Sequence, residues 1–386
     1  MAFLKQSLVT TQVSLASLSQ RLWPSLIIVI STACVVGVLL SMLSATAGVL
    51  RTYQSGGSPE RAIVLPAQIP SEYGNSLSRD EVATITSAPW IAQSRDGTRA
   101  ADAEILLWIP PTEGFTIRSP ELRGVGPAGL SLRPEFAMVS GRLFISGRRE
   151  LIIGVRAARA FGLKVGDKVI LPDGEWPIVG AFSAGGTLLD GQLVADADTV
   201  MAMSKITGFG SVLVKLDNAR AFDPFKQWLT TNPTLAVTVE RQSEYYLRTA
   251  ERYSAFFTEL GYIVGIIMAL GALFGSVKIM HAAVSGRSRE IATLRAIGYG
   301  PLSAAIAVLV EMTVLSLMGA CLGASLAWLL FDGKAMTGSQ NTFDLSVSPR
   351  LLVYGIGWAL ALAIASGLAP AIRAARLSVT DALREV

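Results

Sequence analysis

Four stretches of this 386-residue chain are long, apolar and nearly uncharged, and they limit what it can fold into. Residues 22–50, 260–277 and 351–372 contain no Asp, Glu, Lys or Arg, and residues 296–331 contain only Glu311. A helix needs about 20 apolar residues to cross the hydrocarbon core of a bilayer. The third run opens with Gly298-Tyr299-Gly300-Pro301; glycine closes a helix and proline suits the first turn of the next. The chain is 51% hydrophobic and only 16% charged, where soluble domains carry roughly 25% charged residues. The expected fold class is therefore an α-helical membrane protein with four transmembrane helices.

The segment between the first two runs is different. Across residues 51–252 the Lys and Arg side chains balance the Asp and Glu side chains, and Pro, Gly and amphipathic stretches recur. Its length suffices to bury a core, so a mixed α/β extracytoplasmic domain is expected between helices 1 and 2. Strands are expected at 150–154, 168–171, 176–181, 211–216 and 235–240, and helices at 155–161 and 220–230. The second helix has Phe222, Phe225, Trp228 and Leu229 on its buried face. Pro172-Asp173-Gly174-Glu175 reads as a hairpin turn, from its Asp-Gly step between two β-rich runs. From Ser243 a single helix runs into the second span. Its Tyr245, Tyr246, Tyr253, Phe256 and Phe257 fit either a stalk or an interfacial aromatic belt. Most of the dispersed acids and bases of the domain read as solvated surface.

Charge gives orientation. The first 21 residues hold Lys5 and Arg21 and no acid. The second connection holds Lys278, Arg287, Arg289 and Arg295 against Glu290. The tail holds Arg373, Arg376 and Arg384 against Asp381 and Glu385, and the third connection is balanced. Positive connections stay cytoplasmic, which places both termini and the second connection inside. The net charge of +4 is thus a topology signal, not a nucleic-acid patch. The resulting partition is 1–21 cytoplasmic or interfacial helix, 22–50 first span, 51–254 domain with stalk and 255–277 second span. Then follow 278–300 cytoplasmic coupling connection, 301–331 third span, 332–350 outer loop, 351–372 fourth span and 373–386 cytoplasmic tail. Residues 2–22 place Leu4, Leu8, Leu15, Leu18 and Leu22 on one helical face, which suits a helix lying on the inner leaflet; the alternative is a plain extension of the first span. A cleaved signal peptide is disfavoured because its apolar core spans about 7–15 residues.

Scarcity removes much chemistry. His281 is the one histidine, and Cys34 and Cys321 both lie in apolar runs. No catalytic residue, metal site or GxSxG nucleophile is expected, and an intramembrane enzyme is disfavoured.

Ser288-Arg-Glu-Ile-Ala-Thr-Leu-Arg-Ala-Ile-Gly298, followed by a span with Glu311 and Gly319/Gly323, resembles the permeases of the FtsX/MacB class, the type VII ABC transporters. The tail from Pro370 to Arg384 is similar to that family's ending, with Val379 where the family has proline. Gly141-Arg-Leu-Phe, Glu150-Leu-Ile-Ile-Gly, Val165-Gly-Asp-Lys-Val and Ile178-Val-Gly180 look like the MacB-type periplasmic core domain. The resemblance implies a permease in the bacterial inner membrane, working as a homodimer with two separate ATPase subunits. ATP and magnesium belong to those partners. No cofactor is expected in this chain, which has no G-x-x-x-x-G-K-[ST] phosphate cradle. Other implied partners are a periplasmic adaptor of the membrane-fusion type and membrane lipids. The implied function is export of a lipid, lipoprotein, peptide or hydrophobic small molecule by mechanical transmission. The alternative is a signalling scaffold that activates an external partner such as a cell-wall hydrolase.

Candidate site residues follow. Ile291, Leu294 and Ile297 form an apolar ridge on a short helix, rimmed by Arg289, Glu290 and Arg295, and Arg287 and Gly298 are counted with them as ATPase-coupling residues. That pattern suits docking into a groove on an ATPase, or a helix lying on the membrane surface. Glu311 is costly in a membrane unless paired, so it should face the bundle interior, as a structural partner or in a transport role; Glu259 belongs nearer the outer interface. Gly261/Gly265, Gly271/Gly275 and Gly319/Gly323 have the spacing of close helix packing, within the bundle or across a dimer.

Overall fold

The computed structural model describes residues 2–16, 22–94, 97–109, 120–297, 299–337 and 342–376. Arg21, Gly298 and the tail motif beyond Arg376, including Val379, lie outside these residues. So do the side chains of Leu4, Lys5, Leu15 and Leu294. In chain order the helices are α1 (Ala2–Ala16), α2 (Leu22–Gly56), α3 (Arg79–Thr86), α4 (Val155–Phe161), α5 (Ala197–Ser204), α6 (Phe222–Thr230), α7 (Gln242–Gly286), α8 (Ser288–Ala296), α9 (Pro301–Phe331) and α10 (Pro349–Arg376). The strands are β1 (Arg61–Pro66), β2 (Ala101–Trp108), β3 (Glu121–Val125), β4 (Ala137–Gly141), β5 (Leu151–Gly154), β6 (Lys168–Leu171), β7 (Gly174–Ser183), β8 (Gln192–Asp196), β9 (Ser211–Lys215), β10 (Val237–Arg241), β11 (Ala335–Thr337) and β12 (Thr342–Asp344). The chain divides into two compact units. One gathers the N-terminal residues up to Ala47, Ala255–Asp332 and the chain from Ser346 on. The other is Gly48–Ser254 with Gly333–Leu345.

In the first unit, α2, α7, α9 and α10 are each long and apolar enough to cross a membrane. Pro301 occupies the first turn of α9, after Gly300. Small residues let α9 approach its neighbour closely. A Cβ on Gly319 would stand 2.6 Å from the Val29 carbonyl oxygen, and one on Gly323 2.3 Å from that of Ala33. Only a residue without a side chain admits the α2 backbone at that range. Between α2, α7, α9 and α10 lies a core of Ile28, Met280, Val284, Met312, Leu315 and Ala371.

The second unit is built on a ten-stranded mixed sheet in the order β10-β1-β9-β2-β3-β8-β5-β7-β4, with β6 hydrogen-bonded to β7. Most neighbours are antiparallel; β3/β8 and β5/β7 are parallel. Alternation along the strands sorts side chains onto two faces. Ile105, Leu122, Leu193 and Ala195 join the main core with Ile85, Val200, Phe225 and Leu229 of the helices. Val125, Ile152, Phe182 and Val194 form a smaller core on the other face. Helix α3 starts at a capping box, with Ser78 and Glu81 satisfying each other's backbone N–H groups.

Three sequence expectations change here. The β6–β7 hairpin pairs Leu171 with Gly174, so its two-residue turn is Pro172-Asp173 and not Asp173-Gly174; Gly174, at φ +129°, opens the returning strand. Tyr245 and Tyr246 are buried within the second unit and form neither a bare stalk nor a belt. The connection between α9 and α10 contains the β11–β12 hairpin. Its Asp344 accepts from Arg156 Nε of α4 at 3.1 Å, and Arg156 also holds the Thr187 and Thr342 carbonyls.

Candidate functional site

The expected coupling connection folds as a break and a short helix. Helix α7 ends at Gly286, Arg287 occupies the N-cap of α8, and no side chain caps that end. Arg289 and Glu290 are exposed, and Ile297 is 72% exposed. Ile291 turns the other way and packs on the Met280, Val284 and Val308 cluster, while Ala292 is buried. The expected ridge is therefore divided: its first member anchors α8 to the bundle and its last faces outward. Arg295 is half-buried.

Arg287 departs most from expectation. Instead of joining the other coupling residues it is buried, with its guanidinium pointing at α9. Nη2 lies 3.0 Å from Glu311 Oε1 and 3.2 Å from Oε2. Nη1 donates to Ser14 Oγ at 3.1 Å, and the Ser14 hydroxyl donates in turn to Glu311 Oε2. Glu311 is 4% exposed. A carboxylate at this depth persists only with such a partner. The residue expected to mark docking and the residue expected to need a partner thus satisfy one another, with α1 supplying the third member. A cleft of about 60 Å³ opens beside them, lined by Thr10, Ser14, Arg287, Glu290, Tyr299 and Glu311.

Other candidates scatter. Glu259 is exposed on α7. Gly261 and Gly265 stand against Met42 and Leu39 of α2, whereas Gly271 and Gly275 have nothing within 4 Å. His281 Nδ1 lies 3.1 Å from Arg373 Nη1. Among the described residues no group of His, Cys, Asp and Glu could hold a metal ion.

The second unit contains a buried charge network that the sequence reading assigned to solvated surface. Arg123 of β3 is 1% exposed. Its Nη1 lies 2.7 Å from Glu72 and 2.5 Å from Glu104 of β2, and its Nε donates to Gln192 Oε1 of β8 at 2.8 Å. Arg133 adds a second cation, 2.7 Å from Glu104. Gln192 Nε2 donates to Glu121 at 2.7 Å, and the Tyr73 hydroxyl donates to the same carboxylate. The Glu72 N–H reaches the Tyr245 hydroxyl oxygen on α7 at 3.3 Å. Burial pushes the Glu104 carboxyl up, but Arg133 and Arg123 outweigh it and hold it below the usual range. Burial pushes Glu121 up to about 7 against the hydrogen bonds from Tyr73 and Gln192. Burial and neighbouring Glu104 push Asp102 up to about 7 as well. These carboxylates meet cations and amides, so the network braces the sheet face, while Glu72, Glu121, Arg123 and Gln192 also line a cavity of about 260 Å³ beside Tyr73 and Tyr245.

Four long apolar helices with a mixed-sheet domain after the first define a multi-pass membrane protein with an extramembrane domain. The chain belongs to the family of FtsX-like permeases carrying a MacB-like periplasmic core domain: the periplasmic core domain model matches residues 25–232 and the FtsX-like permease C-terminal model residues 262–379. It is 25% identical over 278 residues to the lipoprotein-releasing system transmembrane protein LolC of Xylella fastidiosa, covering 62% of this chain and 65% of that one. It is 30% identical over 133 residues to the macrolide export ATP-binding/permease protein MacB of a Shewanella species, covering 34% of this chain and 20% of that one. The matched regions therefore span less than two thirds of these relatives. The periplasmic region of MacB from Actinobacillus actinomycetemcomitans aligns with a TM-score of 0.37 at 14% identity, over 53% of this chain and 97% of that one.

Proposed function

We propose that this chain is the permease subunit of an ABC exporter, and that α8 is the element through which a separate ATPase drives it. The arrangement of α8 carries the reading. Arg289, Glu290 and Ile297 face outward, while Ile291 and Arg287 fasten the same helix to α7 and α9. A helix with a free charged face and a fixed inner face transmits a push instead of absorbing it. The basic excess of the second connection supports a cytoplasmic side for it, with both termini inside and the Gly48–Ser254 unit outside, in what we take to be the bacterial inner membrane. Two ATPase copies would bind ATP and magnesium and work on a homodimer of this chain. Gly271 and Gly275, bare within the single chain, offer a packing stripe to the second copy. The similar proteins are named for lipoprotein release and macrolide export. Amphiphiles leaving the outer leaflet, with or without a periplasmic adaptor, are accordingly the substrate class proposed here.

The test uses the full chain with its co-purifying ATPase in proteoliposomes. Glu290→Arg and Arg295→Glu should leave the complex assembled and abolish the acceleration of ATP hydrolysis by the permease. Variants that bind the ATPase and stimulate it as well as the parent would refute the role of α8.

A further inference from the structure

We propose that α1 is a positioning element for the coupling connection, and that Ser14 is the contact through which it acts. The proposal rests on the reading of α8 as the ATPase-facing helix and adds a part to that machinery. Sequence periodicity placed the leucines of the N-terminal helix against the bilayer and gave its polar residues no task. The structure gives them one. Thr10 and Ser14, one turn apart, are both buried, while Leu8 is 63% exposed. The Thr10 hydroxyl lies 2.9 Å from the Gln6 carbonyl of its own helix and 3.3 Å from the Ser303 carbonyl of α9, sharing its hydrogen between them. Ser14 uses its oxygen as acceptor and its hydrogen as donor within the Arg287–Glu311 pair. A helix resting on lipid has no need of either bond.

The geometry at Arg287 gives the contact its consequence. Its backbone is the joint between α7 and α8, and its carbonyl accepts the Ile291 N–H at 2.9 Å in the first turn of α8. With no side-chain cap on that end, the direction of α8 is set by two holds, the packed Ile291 and the place where the Arg287 side chain is held. Glu311 alone holds one terminal nitrogen, Nη2, and leaves the group free to swing about it. Ser14 holds the other terminal nitrogen and closes the triangle. Removing the hydroxyl leaves the ion pair intact but frees α8 to rock, so motion imposed by the ATPase is lost at the joint.

Hydrogen exchange on the purified full chain in detergent tests the joint without any ATPase. Ser14→Ala should speed exchange of the α8 backbone amides by about tenfold, the effect of losing one charge-assisted hydrogen bond, and leave α9 and α10 unchanged. Ser14→Thr, which keeps a hydroxyl, should match the parent. Thr10→Val, which loosens α1 without touching Arg287, should match it too. Wild-type α8 exchange in Ser14→Ala overturns the proposal, as does equal acceleration in Thr10→Val. If Ser14→Ala does not accumulate, Ser14→Cys, whose thiol is a weak hydrogen-bonding group, is measured for the same acceleration. In the reconstituted complex, Ser14→Ala should lower stimulated ATP hydrolysis several-fold with assembly retained, and Ser14→Thr should restore it. Should Glu290→Arg stay fully coupled while Ser14→Ala still loosens α8, the ATPase reading fails and the positioning role stands. Should Glu290→Arg uncouple while Ser14→Ala behaves as the parent throughout, the positioning role fails alone.

Discussion

Both units of this protein bury charge, and they do so in opposite ways. In the sheet unit one cation, Arg123, serves two carboxylates and an amide, with a second arginine behind it. All these groups sit on adjacent strands or on segments fastened to them, so the charges share one rigid face. In the helical unit a single arginine meets a single carboxylate and one hydroxyl. Two of its members come from separate helices, α1 and α9, and the third stands at the backbone joint between α7 and α8. The same electrostatics therefore stiffens the sheet unit and sets the direction of an element in the helical one. Multiplicity within one layer makes a brace, whereas a lone pair across a junction makes a hinge with a preferred angle.

The largest effect is expected where one group answers for most partners. Arg123→Met leaves Glu72 and Glu104 buried with Arg133 as the remaining cation of the network. Breaking a buried pair from one side costs about 3–5 kcal/mol. The thermal midpoint of the sheet unit, followed by tryptophan fluorescence in the full chain, should fall by roughly 6–20 °C. The helical pair should give less, because Ser14 remains to solvate whichever partner survives. Glu311→Gln or Arg287→Gln alone should cost about 3 kcal/mol, read as lowered thermal stability in detergent. The double variant should recover at least half of that, since neither charge is then left alone. A double variant whose loss equals the sum of the two single losses would show that the two groups are not coupled and remove the contrast between the units.

How legible each arrangement is in the sequence follows from the same contrast. The long apolar helices are visible because membrane thickness sets their length, and Glu311 is visible because nothing else in its run is charged. Its need for a partner could be read, but the partner could not. Arg287 is 24 residues away and looks like one of the coupling residues, and Ser14 is 297 residues away. The sheet network is hidden for another reason. Asp102, Glu104, Glu121 and Arg123 alternate with apolar neighbours, as the wet face of an ordinary antiparallel sheet does. Tyr73, Tyr245 and Tyr246, brought in by the loop before α3 and the start of α7, partly cover that face. No local pattern announces a cover that arrives from far along the chain. The β11–β12 hairpin escapes for lack of length, with three residues in each strand.

The smallest expected effect separates carboxylates inside the brace by the sign of their pH dependence. Glu104, held low by its arginines, is ionised in the folded state at a pH where the unfolded chain begins to bind protons. Its contribution is present above the ordinary glutamate range and is lost as pH falls. Glu121 does the opposite. With a folded value of about 7 against an ordinary 4.5, it keeps its proton in the folded state while the unfolded chain has released it. Stability from this group is therefore greatest below the ordinary value and declines as pH rises toward 7, then levels. Asp102, also near 7, adds to the same decline. The thermal midpoint of the sheet unit should drop by a few degrees, on the order of what one or two kcal/mol produce in a domain of this size, between pH 5 and pH 8. Glu121→Gln cannot ionise and should remove part of that drop while leaving the Asp102 share. A midpoint that rises over this interval, or a Glu121→Gln variant with the parent's slope, would show that Glu121 is ionised as readily as the arginine-bound Glu104, and that the brace treats its carboxylates alike.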